Sequence, residues 1–527
     1  MLKQEPIMLL WNPIVFSLLP LFFYMLFFLT KWLSNFITPE IAHKNPPPSP
    51  TKLPIIGNLH QLGSYPHRSL QSMALKHGPL MLLHLGSVPV LVVSSAVAAR
   101  EVLKTHDLIF SNRPKSSITR RLFYGPTDVA FSPYGKYWKQ IRSISVLQLL
   151  SNKRVQSFQS VREEETRLMI EKITESCSSS SPVNLSEMFV SLTNNIVCRV
   201  ALGRKYNRGE GGRKFMELLG TLVEVLGTFN VEDYIPWLAW LNRINGFDDK
   251  VDKVAKEIDQ LLEGMVEEHM ISQNQRESER KSNGSGGHEG ERPQDFVDVL
   301  LEIQRDKGAG SLLDRDNIKA VILDMFAAGT DTIYTALDWT MAELLRHSKI
   351  MKKLQNEVKE IARGKLNITE EDLEKMYYLK AVIKESLRLH TPLPLLVPHE
   401  STQDVKVMGY DILVGTQVLI NAWAIGRDPF SWEDPDEFQP ERFLNNSIDV
   451  KGNDFELIPF GAGRRGCPGT LFAMNVSELA LANVVHKFAF SLPDGSMEKD
   501  LDMKEATGIT IHRKNPLLVN ATPYCST

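Results

Sequence analysis

The first strong signal along the chain is apolar and unbroken. Residues 6–30 carry no charge and are rich in Leu, Phe, Ile and Met; as a helix rising about 1.5 Å per residue, these 25 residues would cross a hydrocarbon core of about 30 Å. The pattern predicts a membrane anchor over residues 1–33. A cleaved signal peptide, the alternative, would have an apolar region of about 7–15 residues and a small-residue cleavage site, which is not found here. Lys31, Lys44 and Lys52 follow the span and Lys3 precedes it, a basic bias that places the bulk of the chain on the cytosolic side.

Beyond the span the pattern changes period. Residues 34–52 form a hinge containing Pro46-Pro47-Pro48-Ser49-Pro50, a stiff spacer, which leaves residues 53–527 as one globular domain. Residues 80–93 (LMLLHLGSVPVLVV) alternate and cluster as a β-hairpin turning at Gly86-Ser87. Residues 137–142 read as helix, with Trp138 and Arg142 four apart on one face. Residues 316–347 form a long apolar helical pattern, interrupted by the polar stretch Ala327-Ala328-Gly329-Thr330-Asp331-Thr332. Glu385 and Arg388 lie three apart on another helical face. The Ser-rich residues 176–182 and the polar residues 277–293 read as loops, and Gly508-Ile509-Thr510 as a β-turn. Residues 229–245, with Trp237, Leu238 and Trp240 beside Pro236, form either an interfacial segment or a core helix.

Composition narrows the class without naming it. With 527 residues, 43% of them hydrophobic, the chain can bury a large core in one catalytic domain or in two or three domains. A formal net charge of -3 argues against a general nucleic-acid binder. The cysteines, at 177, 198, 467 and 525, show neither disulfide nor zinc spacing and fit a reducing compartment.

One cysteine has unusual company. Residues 460–469 read FGAGRRGCPG, so Cys467 sits among four glycines and two arginines. Glycines let the backbone bend around the sulfur and aim N–H groups at it, and Arg464 and Arg465 add positive charge, which together would favour the thiolate. A lone thiolate so held is the expected proximal ligand of a haem iron that activates dioxygen. Gly461, Gly463 and Gly466 also spell a dinucleotide-binding fingerprint, but Cys467-Pro468 stands where the helix should open and no acidic residue follows about 20 positions on. In the long helix, a threonine hydroxyl can bond a carbonyl one turn back, glycine weakens the helix, and an acid followed by an alcohol supplies a proton relay.

The motif F-x-x-G-x-R-x-C-x-G, met by Phe460, Gly463, Arg465, Cys467 and Gly469, resembles the haem-binding signature of the cytochrome P-450 superfamily. Narrower stretches, among them FSPYGKYWKQIRSISVLQLLSNKRVQSF, resemble the plant microsomal family seventy-one, subfamily A. The resemblance implies a mainly α fold with small β-sheets. It implies haem b with Cys467 as axial ligand, Phe460 and Arg465 beside it, and Trp138 and Arg142 at a propionate. His399 stands where many relatives carry a propionate-binding arginine, so its charge would depend on pH. Thr332 and Asp331 match the oxygen-activating motif, and Glu385, Arg388 and Arg442 a structural Glu-Arg-Arg network. The substrate pocket falls at Ile118 to Phe123, Asp324, Ala327, Ala328, Leu393 to Val397, and Ile509.

The resemblance further implies electrons from NADPH through a separate NADPH-cytochrome P-450 reductase, with Lys136 and Lys139 in its docking patch, and single-pass anchoring in the endoplasmic reticulum. The expected reaction is oxidation of a small lipophilic plant metabolite, a terpenoid or monoterpene indole alkaloid, by dioxygen. Two other classes stand beside it. A reductase-independent isomerase or dehydratase would typically lack the alcohol that Thr332 supplies, and a non-catalytic haem or ligand carrier would form no product.

Overall fold

The computed structural model describes residues 19–30, 45–177, 181–206, 209–282, 294–305, 313–495 and 497–524. Its architecture is mainly helical with small β-sheets, as the resemblance implied. Numbered in chain order, the elements that frame the site are helices α1 (Pro66–His77), α2 (Lys136–Ile144), α3 (Leu185–Leu202), α4 (Arg315–Arg346), α5 (Tyr377–Leu389) and α6 (Thr470–Lys487). Strands β1 (Leu80–Leu85), β2 (Val88–Val93), β3 (His399–Glu400) and β4 (Gln417–Ile420) form the sheet beside them.

Helix α4 is the axis of the molecule. Asp314 starts it with a reciprocal cap, accepting from the Asn317 N–H at 2.8 Å while Asn317 Oδ1 accepts from the Asp314 N–H at 3.0 Å. The helix is long and apolar enough to cross a membrane, yet 61% of its most apolar window is buried inside the protein, which makes it a core helix. It runs unbroken through residues 327–332, where the polar stretch interrupts the apolar pattern. Gly329 has a packing reason to be there: a Cβ on it would come within 3.0 Å of Val197 Cγ2 on α3. Glycine at this point lets the two helices approach closely.

The hairpin of residues 80–93 forms as predicted, with Gly86 at φ +59° in the turn. Strand β2 then pairs parallel to β4, and β4 antiparallel to β3, so the sheet order is β1-β2-β4-β3. This pairing carries His399 from the end of β3 to the edge of the central cavity.

Several segments differ from expectation. The proline run is docked on the domain: the Leu82 N–H donates to Pro48 O at 2.9 Å, and Pro47 and Pro50 are buried. Residues 34–44 of the expected hinge, and residues 1–18 and 31–33 of the expected anchor, lie outside the described residues. What is described of the anchor is an apolar helix, Leu19–Thr30. The helix Phe247–Ser282 continues through residues 277–282, first read as loop, because Glu, Arg and Lys there are good helix formers; residues 283–293 lie outside the described residues. Residues 178–180 of the Ser-rich loop do too, after the helix Gln159–Cys177 ends. Residues 229–245 are not a core helix, since Trp237, Trp240 and Ile244 are 62%, 54% and 74% exposed.

A buried acid ties α1 to the C-terminal segment. Glu505 accepts from Arg68 at 2.8 and 2.9 Å and meets His67 Nε2 at 3.2 Å. Burial opposes ionisation of Glu505, but the bonds from His67 and Arg68 outweigh it and hold the carboxyl at about 2. A depressed folded-state value stabilises the protein above the unfolded carboxylate range, and that contribution is lost as pH falls toward 2. In Glu505→Gln the acid limb of a pH–stability curve, read by thermal melting, is expected to be shallower than in wild type below about pH 4.5.

Candidate active site

The loop of residues 459–469, the helix α4, the segment of residues 392–399, and the residues before and within α2 meet around one cavity, with α3, α5 and α6 contributing apolar side chains. The loop supplies the sulfur. Gly463 there has φ +66°, and a Cβ on it would sit 2.3 Å from Leu103 O, so only glycine lets this turn press against the neighbouring backbone. The Cys467 N–H donates to Phe460 O at 2.8 Å, and the Gly469 N–H approaches Sγ at 3.3 Å. The side chain of Cys467 is exposed to the cavity.

The protein alone does not favour the thiolate as the glycines suggested. Burial pushes the Cys467 thiol up, and the Gly469 N–H and the charge of Arg142 only partly oppose it. A single backbone N–H faces the sulfur among the described hydrogen bonds, and Arg464 turns away to Asp107 at 2.8 Å. A thiolate at this depth requires a cation close above it.

Three guanidiniums line the same cavity. Arg465 donates to Ser111 O at 2.7 Å and Ser132 O at 2.6 Å, and lies 3.9 Å from the ring centre of Trp138. Arg142 donates to Gly466 O at 2.6 Å. Arg113, which the sequence reading missed, donates to Ala130 O at 2.9 Å, Val397 O at 2.8 Å and Pro398 O at 2.7 Å. None of the three has a carboxylate within ion-pair distance among the described residues. Burial lowers all three, Arg465 to about 9. Uncompensated buried cations are costly, so this wall suits a group that brings its own carboxylates.

Trp138 and His399 also line the cavity, with their polar atoms already engaged. The Trp138 N–H donates to Val129 O at 3.0 Å, so its ring serves as the platform for Arg465. His399 meets Phe110 O through Nδ1 at 2.8 Å, which makes Nδ1 the protonated nitrogen. Burial and the neighbouring Arg113 hold its imidazole well below the usual range, so it is neutral at physiological pH.

Helix periodicity decides which α4 residues face the cavity. Asp324, Ala328 and Thr332, spaced by four, line it, whereas Ala327 and Asp331 fall on another face. Thr332 donates to Ala328 O at 2.6 Å, the bond one turn back that its position suggested. Leu393 and Val397 line the cavity; Ile118, Phe123 and Ile509 do not. Ile118 and Phe123 are sealed in the main apolar core, Phe123 against Phe131 at 5.3 Å. The bend at residues 508–510 lies against Gly227, where a Cβ would come within 2.5 Å of the Ile509 nitrogen.

A second, fully buried acid, Asp128, lies beside Asp324, which lines the cavity. Asp324 Oδ2 accepts from the Val129 N–H at 2.6 Å, and the neighbouring Asp128 Oδ2 accepts from the Phe131 N–H at 2.9 Å. Burial raises both carboxyls, Asp128 to about 6 and Asp324 well above its ordinary value, with the charge of Asp128 adding to the rise at Asp324. The cavity wall thus carries, at Asp324, a carboxyl that burial holds well above the ordinary carboxylate range.

Away from the cavity, Glu385, Arg388 and Arg442 meet. Arg388 grips Glu385 with two bonds, at 2.7 and 2.8 Å, and Arg442 adds a third at 3.0 Å. Glu385 and Arg388 are fully buried.

A mainly helical fold that holds one sulfur in a deep cavity, opposite a threonine-bearing helix and beside three unpaired guanidiniums, has the donor set of a haem-thiolate protein: a soft axial ligand and cations for two propionates. The chain belongs to the cytochrome P-450 family, which matches residues 47–519. It is 59% identical over 97% of its length to cytochrome P-450 736A117 of Prunus mume, covering 96% of that protein. It is 55% identical to norfluorocurarine oxidase of Strychnos sp, over 97% of this chain and 98% of that one, and 52% identical to (+)-menthofuran synthase of Mentha piperita, over 92% and 94%. Among solved structures, a zebra fish cytochrome P-450 with progesterone matches at a TM-score of 0.72 and 27% identity, covering 87% of this chain and 99% of that chain. The chain is thus a P-450 monooxygenase of the haem b type, of a family that draws electrons from a reductase.

Proposed function

We propose that this protein oxidises a small lipophilic plant metabolite, a terpenoid or a monoterpene indole alkaloid, by C–H hydroxylation or by the related oxidative cyclisation or desaturation. The observation that carries the proposal is the cavity above Cys467: apolar along Leu393, Leu396, Val397 and Ala328, with polar groups only at a few points such as Thr332 and Asp324. The names of the relatives, an oxidase of norfluorocurarine and a synthase of (+)-menthofuran, support a small organic substrate. Burial shifts Asp324 toward its acid form, which donates a hydrogen bond to a carbonyl or hydroxyl and so orients it.

Cys467, with the Phe460 carbonyl holding its backbone in place, would hold the iron of haem b, and Arg113, Arg142 and Arg465 would neutralise its carboxylates. Haem b, when bound, supplies dioxygen activation and takes up electrons one at a time. Trp138 positions Arg465, and His399, being neutral, brings no charge to the propionate wall. Thr332 has committed its proton to Ala328 O, so its oxygen can accept a hydrogen bond on the cavity side, and Asp331 behind it holds the proton to be delivered. Burial raises Asp331, which keeps it partly protonated at higher pH than an ordinary carboxyl.

The electron donor in this proposal is NADPH-cytochrome P-450 reductase, docking near Lys136 and Lys139, both exposed. The protein is anchored by a single N-terminal helix in the endoplasmic reticulum with its catalytic domain in the cytosol. Trp237, Trp240 and Ile244 rest on the same membrane surface. Residues 1–33 serve as the anchor and 53–527 as the catalytic domain, with residues 34–52 joining them and the proline run of that joint docked on the domain. The test is a screen of terpenoids and terpenoid alkaloids with reductase and NADPH in microsomes: an NADPH-dependent oxygenated or cyclised product supports the proposal, and turnover that ignores NADPH contradicts it. Thr332→Ala is expected to lower product formed per NADPH consumed by about tenfold or more without loss of the folded protein, measured on the first substrate found.

A further inference from the structure

Behind the acid of α4 lies a histidine that no motif singled out. His512 Nε2 is 3.5 Å from Asp331 Oδ1, and its Nδ1 is 2.7 Å from Thr335 Oγ1. Thr335 has one proton, and donates it to the Asp331 main-chain oxygen at 2.7 Å. Its Oγ1 can therefore only accept from the imidazole, which fixes the Nδ1–H tautomer. In the neutral ring Nε2 is then bare and faces the carboxyl; in the cation it carries a proton toward it. Asp331 Oδ2 is buried and has no hydrogen-bond partner among the described residues, so Oδ1 is the atom through which this acid meets a titratable neighbour.

The ring is held and still wetted. Tyr334 stacks on it at 5.2 Å and 16°. The backbone on either side is pinned, by Trp339 Nε1 on Ile511 O at 2.8 Å and by the Ala506 N–H on His512 O at 2.8 Å. The side chain is 21% exposed, against 18% for Asp331, and neither residue lines the cavity. The other charged groups around it are Asp338 and Arg513, which face each other at 3.7 Å.

We propose that His512 is a positioning residue that hands protons from solvent to Asp331, the acid that precedes Thr332 on α4. The proposal rests on the reading that Asp331 and Thr332 deliver protons to the cavity. In each transfer the Nε2–H bond of the imidazolium breaks and an O–H bond forms on the Asp331 carboxylate; the ring is left neutral with its Nδ1–H on Thr335 and takes its next proton from water. One turnover uses one dioxygen, two electrons from NADPH and two protons, and releases one oxygen atom as water.

The side-chain amides separate relay from scaffold, because asparagine reproduces the Nδ1–H bond to Thr335 and glutamine the Nε2 contact, and neither titrates. The holoenzyme with reductase is assayed for NADPH oxidation without added substrate, in water and in deuterium oxide. His512→Asn and His512→Gln are expected to slow it about tenfold with a larger solvent isotope effect, as are Asp331→Asn and Thr332→Ala. Wild-type rates in His512→Asn with slow Asp331→Asn and Thr332→Ala would overturn the role of His512 alone. Wild-type rates in all four would overturn the underlying reading as well. Should the His512 variants fail to take up haem, nitrogen NMR of the unsubstituted protein labelled at histidine decides: a neutral ring protonated on Nδ1 agrees with the relay, and one protonated on Nε2 overturns it.

Discussion

Glu385→Ala is expected to cost the folded state about 3–5 kcal/mol, because it strands Arg388 as a buried charge without its counter-ion. Glu385 is fully buried and receives four bonds, two from Arg388 at 2.7 and 2.8 Å, one from Arg442 at 3.0 Å and one from the Gln439 N–H at 2.7 Å. The remaining guanidinium donors of Arg388 reach Gly426 O at 2.6 Å, Pro435 O at 2.5 Å and Glu437 O at 2.9 Å. The pair therefore clamps residues 426–442 onto α5. Domains are stable by only about 5–15 kcal/mol, so the loss is a large share of the total. Arg388→Lys should not restore it, since a lysine cannot offer a planar fork to one carboxylate and three carbonyls together. Arg442→Ala should cost less, as this side chain is 11% exposed and makes one bond to Glu385. Denaturant midpoints of the purified variants rank the three; a midpoint for Glu385→Ala equal to wild type would contradict the clamp.

Cys467→Ala is expected to abolish turnover while moving the denaturant midpoint little. The side chain opens on the cavity and makes no core contact that a methyl group would forfeit, and the backbone bond to Phe460 O stays. Cys467→Ser should be equally inactive, because a hydroxyl is a hard, weakly acidic ligand where the chemistry needs a soft thiolate. Product formation with reductase and NADPH, compared with the denaturant curve of the same preparation, separates loss of chemistry from loss of fold. Measurable product from either variant would place the ligand elsewhere.

What could be read from sequence follows from how locally each feature is encoded. The hairpin, α4 and the Glu385–Arg388 pair depend on spacings of two to four residues, which periodicity records. Arg113 sits on an irregular segment whose place at the cavity wall is set by contacts hundreds of residues away, with Val397 and Pro398. His512 is likewise brought to Asp331 by packing across 181 positions. Ile118, Phe123 and Ile509 were placed by resemblance, but Ile118 and Phe123 serve the core and Ile509 lies against Gly227, outside the cavity lining. Ala327 failed for a simpler reason: one step along a helix rotates a side chain by about 100° off the face that Ala328 occupies. The chemistry of Cys467 was legible in its neighbours. Its thiol state was not, because depth of burial is a property of the whole fold.

The sulfur of Cys467 is expected to bind the iron of haem b in this cavity. The decisive measurement is a carbon monoxide difference spectrum of the reduced, haem-loaded protein. A far red-shifted Soret band is expected in the unsubstituted protein and none in Cys467→Ala. An intact, haem-loaded protein without that band, or a band that survives the substitution, would contradict it.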